Sequence, residues 1–403
     1  MIKQLVAVFV GAAAVLSALA VGCAKKPDPD APQRIVAVPP NSFVQGWSAP
    51  LELKDDRVTE LHLRENNLYV YTRSDTVYSI GRNGGELQFV VPVKASGGVL
   101  RPPVEIKDRI LFPTAATMEI YKPNGRFERR FPLDFSTRGP AAGLENMAYV
   151  GLDYPRGGRL AAIDVSRPFA NIRWELLTKG GVSARPGIFA NVIYIGGEDG
   201  RVYAVTPDRR PVWPLEGGVF VTSGRIVADV KVDETGVYVA STDSKLYCLD
   251  RSTGKINWQY FGGRPLVDAP HVAASTIYVN VPDRGLVALD KGKGVFNRTP
   301  RWVSKDARAF LSEDDKHTYL ATRDGRIQAV DRASGKVLFH SKGAGFDVFA
   351  PNPNDVTIFA ARKDGGVYAI KPILSPGTVG EIVLQGADKP AFEVEPGDVE
   401  VGG

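Results

Sequence analysis

Hydrophobic and polar residues alternate with period two along most of the chain, in short runs separated by turns that contain glycine. Residues 237–249 (VYVASTDSKLYCL) show the pattern: an aromatic strand residue is followed about nine positions later by a second alternating run. Residues 193–205 and 358–370 have the same arrangement. Alternation bounded by Asp-Gly, Asn-Gly or Ser-Gly turns is typical of antiparallel strands joined in hairpins. The pattern predicts an all-β fold and excludes helical repeats.

This unit recurs along the chain with a nearly constant period. Its leading aromatic residues are Tyr69, Phe112, Tyr149, Tyr194, Tyr238, Tyr278, Tyr319 and Phe359. A spacing of about 40 residues is the period of a four-stranded propeller blade. Several units end in an outer strand with a large side chain, namely Phe89, Trp174, Trp213, Trp258 and Phe339. We therefore predict an eight-bladed β-propeller of four-stranded antiparallel blades.

The turn before the outer strand carries a second signature. Residues 248–258 read C-L-D-R-S-T-G-K-I-N-W, and residues 329–339 read A-V-D-R-A-S-G-K-V-L-F. The Gly-Lys pair lacks the spacing of a phosphate-binding loop and the Ser or Thr that should follow it. The pattern resembles the pyrroloquinoline-quinone-like repeat, with the consensus Ala-x-Asp-x-x-Thr-Gly-x-x-x-Trp, from Trp47 to about Pro372. The resemblance implies a propeller whose outer strands pack between the blades.

The two ends of the repeat region are each incomplete. Prolines within residues 369–376 replace the outer-strand turn of the eighth unit, so this blade lacks its own Trp-bearing strand. Residues 41–48 contain an outer-strand pattern around Trp47 but no preceding blade. We predict that the segment near Trp47 completes the last blade and closes the ring, leaving no exposed edge at the seam.

The termini lie outside the repeats. Residues 1–22 have one early Lys and then an apolar run, which predicts a secretory signal peptide. The signal ends in A-V-G-C and resembles a bacterial lipobox, which implies that Cys23 is acylated and that residues 23–40 form a Pro-rich, lipid-anchored tether. A plain signal peptide or an uncleaved anchor helix is the alternative. We expect the propeller at 41–375 and an acidic tail at 376–403, in which residues 381–384 could add a short strand.

Composition argues against nucleic-acid binding and against a fold held together by disulfides. The 50 basic and 45 acidic residues are too evenly balanced to indicate nucleic-acid binding. Cys248 is the only cysteine besides Cys23, so the folded body has no intramolecular disulfide, and we expect its thiol to face the interior of a blade.

The sequence carries no clear catalytic or metal-binding pattern. Quinoprotein dehydrogenases share this repeat, but the resemblance would require an adjacent Cys pair and a Ca²⁺ site, and one thiol cannot form the pair. The four histidines, His62, His271, His317 and His340, have no metal-ligand spacing. Asp243, Asp324 and Asp364 recur before turns and are interpreted as turn-forming residues, with Ca²⁺ as the alternative. We predict no catalytic, cofactor-binding or metal-binding residue, and no enzyme activity.

Arginine-rich turns are the remaining candidates for a binding surface. They are Arg129 and Arg130, Arg156 and Arg159, and Arg209 and Arg210. Such clusters are usually only solvated, but several on one rim could steer an acidic protein or an anionic glycan.

The whole layout resembles that of the lipoproteins of the outer-membrane β-barrel assembly machinery. The resemblance implies a monomeric, non-catalytic scaffold that is lipid-anchored to the outer membrane, faces the periplasm and binds the barrel-inserting protein. A glycan-binding, small-ligand-binding or sensor propeller is the alternative, and a degenerate quinone-dependent dehydrogenase is a weaker one.

Overall fold

The structure is a computed structural model, which describes residues 42–93, 99–155, 157–168, 171–213, 220–292, 294–341, 345–373 and 394–396. These residues belong to one compact unit, Pro39–Thr378 with Asp388–Gly403; the other unit, Met1–Val38 with Val379–Ala387, lies outside them. The predicted signal peptide, Cys23, the tether and most of the tail therefore fall outside the described residues. The described part contains no helix, and so none that could cross a membrane.

The described strands form eight antiparallel sheets, which are the blades. An N-terminal strand, Ser42–Pro50 (β1), precedes the first blade. Blades 1 to 4 are Val58–Leu63, Asn67–Thr72, Thr76–Gly81 and Leu87–Pro92 (β2–β5); Val104–Ile106, Arg109–Pro113, Thr117–Tyr121 and Phe127–Pro132 (β6–β9); Ala142–Leu144, Met147–Tyr154, Gly157–Asp164 and Asn171–Thr178 (β10–β13); and Gly187–Phe189, Val192–Gly196, Arg201–Val205 and Phe220–Val221 (β14–β17). Blades 5 to 8 are Lys231–Val232, Val237–Ala240, Lys245–Leu249 and Ile256–Phe261 (β18–β21); His271–Val272, Thr276–Val281, Gly285–Asp290 and Trp302–Ser304 (β22–β25); Ala307–Glu313, His317–Thr322, Ile327–Asp331 and Val337–Ser341 (β26–β29); and Val348–Ala350, Ile358–Ala361 and Gly366–Ile373 (β30–β32) together with β1.

Consecutive strands are neighbours within each blade, and the first strand of each blade lies innermost. First strands of adjacent blades contact one another between blades 8 and 1 and from blade 2 to blade 5. The up-and-down order gives the ring two rims. The hairpin rim carries the second-to-third-strand hairpins and the connections between blades, such as residues 241–244 and 262–270. The turn rim carries the first-to-second and third-to-fourth-strand turns, such as residues 233–236 and 250–255.

The core consists of apolar clusters that lie between neighbouring blades. Eight clusters of buried side chains correspond to the eight interfaces of the ring, from the contact of blades 1 and 2 to that of blades 8 and 1. Each contact removes both apolar sheet faces from water, which is the dominant favourable term in folding. The prediction of an all-β, eight-bladed propeller is confirmed.

The repeat signature is explained by contacts between blades. In blade 5, Tyr238 pairs with Cys248 and Cys248 with Trp258 across three strands, and the rings of Tyr238 and Trp258 lie 6.1 Å apart. The Trp213 indole of blade 4 donates a hydrogen bond to the Arg251 carbonyl of blade 5 at 2.8 Å. A Cβ at Gly254 (φ 72°) would lie 2.8 Å from the Trp213 ring. The repeat glycine thus makes room for the tryptophan of the preceding blade.

Blade 2 departs from the predicted pattern by one residue. Phe112 packs toward blade 1, whereas Leu111 takes the place of the leading aromatic residue and faces blade 3. Leu111 pairs with Ile120, and Ile120 with Arg129. The guanidinium of Arg129 donates to the Val165 carbonyl of blade 3 and so takes over the hydrogen bond of the missing indole. The assignment of Phe112 to the leading position was therefore wrong.

Trp302 fills the outer-strand position of blade 6, which the sequence analysis did not assign. It pairs with Ala288, and its indole donates to the Arg332 carbonyl of blade 7 at 2.9 Å. The turn between Asp290 and Trp302 is longer than the corresponding turns of blades 5 and 7. The spacing of the repeat therefore did not indicate Trp302 in the sequence.

The ring closes through β1, which pairs with β32 and places Trp47 opposite Ala369, as predicted. The Trp47 indole donates to the Arg82 carbonyl of blade 1 at 3.0 Å. Phe43, on the same strand, packs between blades 7 and 8. Residues 381–384, where we expected a short strand, lie outside the described residues; Val394–Pro396 (β33) instead adds a fifth strand to blade 7 beside β29.

Candidate functional site: the central channel and the two rims

The innermost strands surround a central channel with a cavity of about 500 Å³. Its wall includes ionisable side chains from three sectors of the ring: His62 and Arg64 from blade 1, Arg185 and Asp229 from connections between blades, and Lys231 from blade 5. His271 of blade 6 also faces the cavity. The cavity has the size of a small-molecule site.

The two channel histidines are neutral at neutral pH. Burial, helped by the nearby Lys231 ammonium, lowers the pKa of the His271 imidazole to about 4. Burial also lowers the pKa of His62, although Glu60, with Oε2 2.9 Å from Nε2 of His62, opposes this. Positive charge in the channel therefore comes from its Arg and Lys side chains.

Sequence analysis missed this cluster, although a signal for it was present. His62, Lys231 and His271 each stand seven residues before a leading aromatic residue and pair with it in the sheet. The other members of this inner position in the ring are apolar, small or Ser, so three ionisable residues there could have been noticed in the sequence.

Two of the predicted arginines lie in a strand and not in a loop. Arg129 and Arg130 belong to β9. Besides bonding to Val165, Arg129 lies over the Phe131 ring at 5.2 Å. Arg130 donates through Nε to Oε1 of the buried Glu119 at 2.9 Å. Both side chains thus bond to the propeller itself, although Arg130 stays 44% exposed, and their role in binding a partner stays a prediction.

The other predicted arginines are divided between the two ends of the ring. Arg209 and Arg210 are exposed in a turn on the turn rim, where Arg210 pairs with Asp208 at 2.6 Å. Arg159 is buried in β12 and lies over the Phe135 ring at 4.0 Å. Arg156 lies outside the described residues. The structure does not gather the described members of this set into one patch.

The aspartates that could have suggested calcium bond to their own hairpins. Asp243 accepts a hydrogen bond from the backbone of Lys245 at 3.1 Å, and Asp364 accepts one from Gly366 at 3.2 Å. Asp324 accepts one from Nε of Arg326 at 2.7 Å. These contacts fit the interpretation as turn-forming residues. Within the described ranges, no three His, Cys, Asp or Glu side chains are grouped as metal ligands would be.

Cys248 is buried in blade 5, and burial raises the pKa of its thiol to about 12. Because the thiolate is the reactive form, we expect native protein carrying Cys23→Ser to resist a thiol reagent at about pH 8. Guanidinium chloride should then release one reactive thiol per chain. Rapid labelling of the native protein would contradict this and show that solvent reaches the Cys248 thiol in blade 5.

The hairpin rim of blades 4 to 6 exposes apolar side chains. Val221 and Phe261 end the outer strands of blades 4 and 5 at this rim, and Val267 lies in the connection from blade 5 to blade 6. Arg225 and Arg264, on the same rim, are also largely exposed. Apolar side chains next to arginines are typical of protein-binding surfaces.

The fold and its contacts define the protein as an eight-bladed β-propeller of pyrroloquinoline-quinone-like repeats. A family model described as outer membrane protein assembly factor BamB matches residues 198–309, from the hairpin of blade 4 to the first strand of blade 7. The chain is a propeller of this repeat type that resembles BamB.

Solved structures share the fold at low sequence identity. BamB from Moraxella catarrhalis superposes with a TM-score of 0.63 and 17% identity, covering 82% of this chain and 98% of that one. The computationally designed Ika8 protein superposes with a TM-score of 0.61 and 15% identity, covering 79% of this chain and 98% of the other. No curated protein sequence gives a significant match.

Proposed function

We propose that the protein is a non-catalytic envelope lipoprotein whose propeller is a protein-binding scaffold in the assembly of outer-membrane β-barrel proteins. The match of residues 198–309 to the assembly-factor family is the observation that carries this proposal. The lipobox-like segment ending at Cys23 supports anchoring to the outer membrane with the propeller in the periplasm.

The exposed apolar side chains within the matched residues support a docking surface on the hairpin rim. Residues 198–309 include Val221, Phe261 and Val267, the exposed apolar side chains of the hairpin rim. Apolar anchors at the centre of an interface supply most of its binding energy. We assign this rim, called here the docking rim (Val221, Phe261, Val267), to the periplasmic part of the barrel-inserting component.

The test is recovery of the partner from crosslinked envelopes. We expect the full-length protein to co-purify with the barrel-insertion machinery, and Phe261→Asp combined with Val267→Asp to reduce that recovery at least about tenfold, because a charge at the interface centre is left unpaired. Val295→Asp is the matched control, since Val295 is an apolar residue that is even more exposed than Phe261 and Val267, also lies within the family match, and belongs to the turn rim. A Cys23→Ser variant tests the anchor.

Each alternative has its own outcome. Unchanged recovery with the double variant, but loss with Arg209→Ala and Arg210→Ala, would place the partner on the turn rim. Failure to recover the machinery with an intact, membrane-bound bait would contradict the scaffold proposal. Ligand binding is the second candidate function, and the central channel is the observation that favours it.

A further inference from the structure

The central channel concentrates cations that the neighbouring carboxylates of the described chain neutralise only in part. Arg64, Arg185 and Lys231 come from three sectors of the ring and line the same cavity. Asp229 lies among them, with Oδ2 3.8 Å from Nζ of Lys231. The other lining carboxylate, Asp233, bonds to Lys291 at 2.6 Å and is already paired. Cations therefore outnumber the available carboxylates along the lining, although Glu60 beside His62 and Glu105 near Arg64 bring further negative charge close to it.

The two guanidinium groups keep donors available for a ligand. Arg64 donates through Nε to the Pro103 carbonyl at 2.9 Å and through Nη1 to the Leu63 carbonyl at 2.8 Å. These bonds fix the guanidinium, and no group among the described residues accepts a hydrogen bond from its Nη2. For Arg185, no carboxylate of the described chain lies within ion-pair distance, and its side chain donates no hydrogen bond there. The planar fork of Arg185 matches the geometry of an oxyanion, and Nη2 of Arg64 can add a further donor.

The cluster is electrostatically unfavourable without a counterion. Burial lowers the pKa of Arg64 to about 10, with Arg185 as the next largest cause. Burial likewise lowers the pKa of Lys231, and Arg185 and Arg64 add to this effect while Asp229 opposes it. The channel groups therefore repel one another, and a bound anion would relieve both the repulsion and the desolvation.

We propose that the central channel binds an oxyanion, namely phosphate or the phosphate group of a small ester. The excess of lining cations attracts an anion, the fork of Arg185 and Nη2 of Arg64 offer N–H donors, and about 500 Å³ admits a molecule of this size. The inference is independent of the proposed scaffold function, because the docking rim and the channel share no residue.

Isothermal titration calorimetry on the full chain at about pH 7 and constant ionic strength tests the proposal. Inorganic phosphate and glycerol 3-phosphate are the two probes, and we expect saturable binding with a Kd below about 1 mM for at least one of them. Binding of phosphate alone identifies the free ion, and tighter binding of glycerol 3-phosphate identifies an ester; both results support the site.

Variants then locate the site. Arg185→Gln should weaken binding about tenfold or more, whereas Arg185→Lys keeps the charge and retains most of the affinity. Asp229→Asn preserves the oxygen that accepts from the Arg185 amide at 3.1 Å, removes the carboxylate charge beside Lys231, and should strengthen binding. Arg264→Gln, an exposed rim arginine, should leave the Kd unchanged.

The proposal is overturned by either of two results. The first is no saturable heat with either probe in a protein whose thermal unfolding is cooperative. The second is binding that does not depend on the channel residues. Either Arg185→Gln and Asp229→Asn would leave the Kd unchanged, or Arg264→Gln would raise the Kd as much as Arg185→Gln does, and binding would then be unspecific attraction to the basic protein.

Discussion

Trp258→Ala should lower the free energy of unfolding by about 3–5 kcal/mol. The Trp258 side chain is only 3% exposed, packs against Tyr238 and belongs to the cluster between blades 5 and 6. Removing it opens a cavity that the paired sheets cannot fill, because the strands on both sides are fixed by their hydrogen bonds. Chemical denaturation, followed by the midpoint and slope of the transition, measures the loss.

The same strand provides the control. Phe261 also lies on β21 but is 64% exposed, so Phe261→Ala should change the free energy of unfolding by no more than about 0.5 kcal/mol. If the two variants lost the same free energy of unfolding, packing between the blades would not be what stabilises the ring.

Phe43→Ala should destabilise the propeller by a similar amount, about 3–5 kcal/mol, and should loosen the seam first. The Phe43 ring lies 5.1 Å from that of Phe339 and 6.0 Å from that of Tyr319, and so links β1 to blade 7. Because β1 is the outer strand of blade 8, amides of β32 should exchange with solvent faster than those of blades 3 to 5. Hydrogen exchange with mass spectrometry measures this difference.

Ser48→Ala is the matched change for this second experiment, since Ser48 lies on the same strand and is exposed. It should leave exchange in β32 unaltered. If Phe43→Ala accelerates exchange uniformly around the ring, the seam is not an independent weak point.

Local pattern predicted most of the fold. Alternation and the constant spacing of residues such as Tyr238 and Tyr319 predicted the blades, because each blade is built from contacts close in sequence. The pattern failed where a side chain of another type makes an equivalent contact: Arg129 bonds to the next blade as a tryptophan does, and Leu111 replaces an aromatic residue.

The channel was harder to predict than the blades. Arg64, Arg185 and Lys231 are far apart in sequence and meet only because the ring closes. Arg185 and Asp229 lie in connections between blades, where no alternation indicates which way a side chain faces. The Arg129–Arg130 pair shows the opposite error: adjacent charges suggested a solvated turn, whereas one of them bonds to the buried Glu119.

The seam also sets the order in which the protein can fold. Ser42 pairs with Ile373, so the first strand to leave the ribosome must wait for almost the last before it finds its partner. Until then Phe43 and Trp47 have no sheet to cover them, and the contact to be formed is among the most distant in the sequence. Such long-range pairing slows folding and prolongs exposure to aggregation. For a chain of this design we expect the N-terminal strand to be the segment that most needs protection until blade 8 has been made.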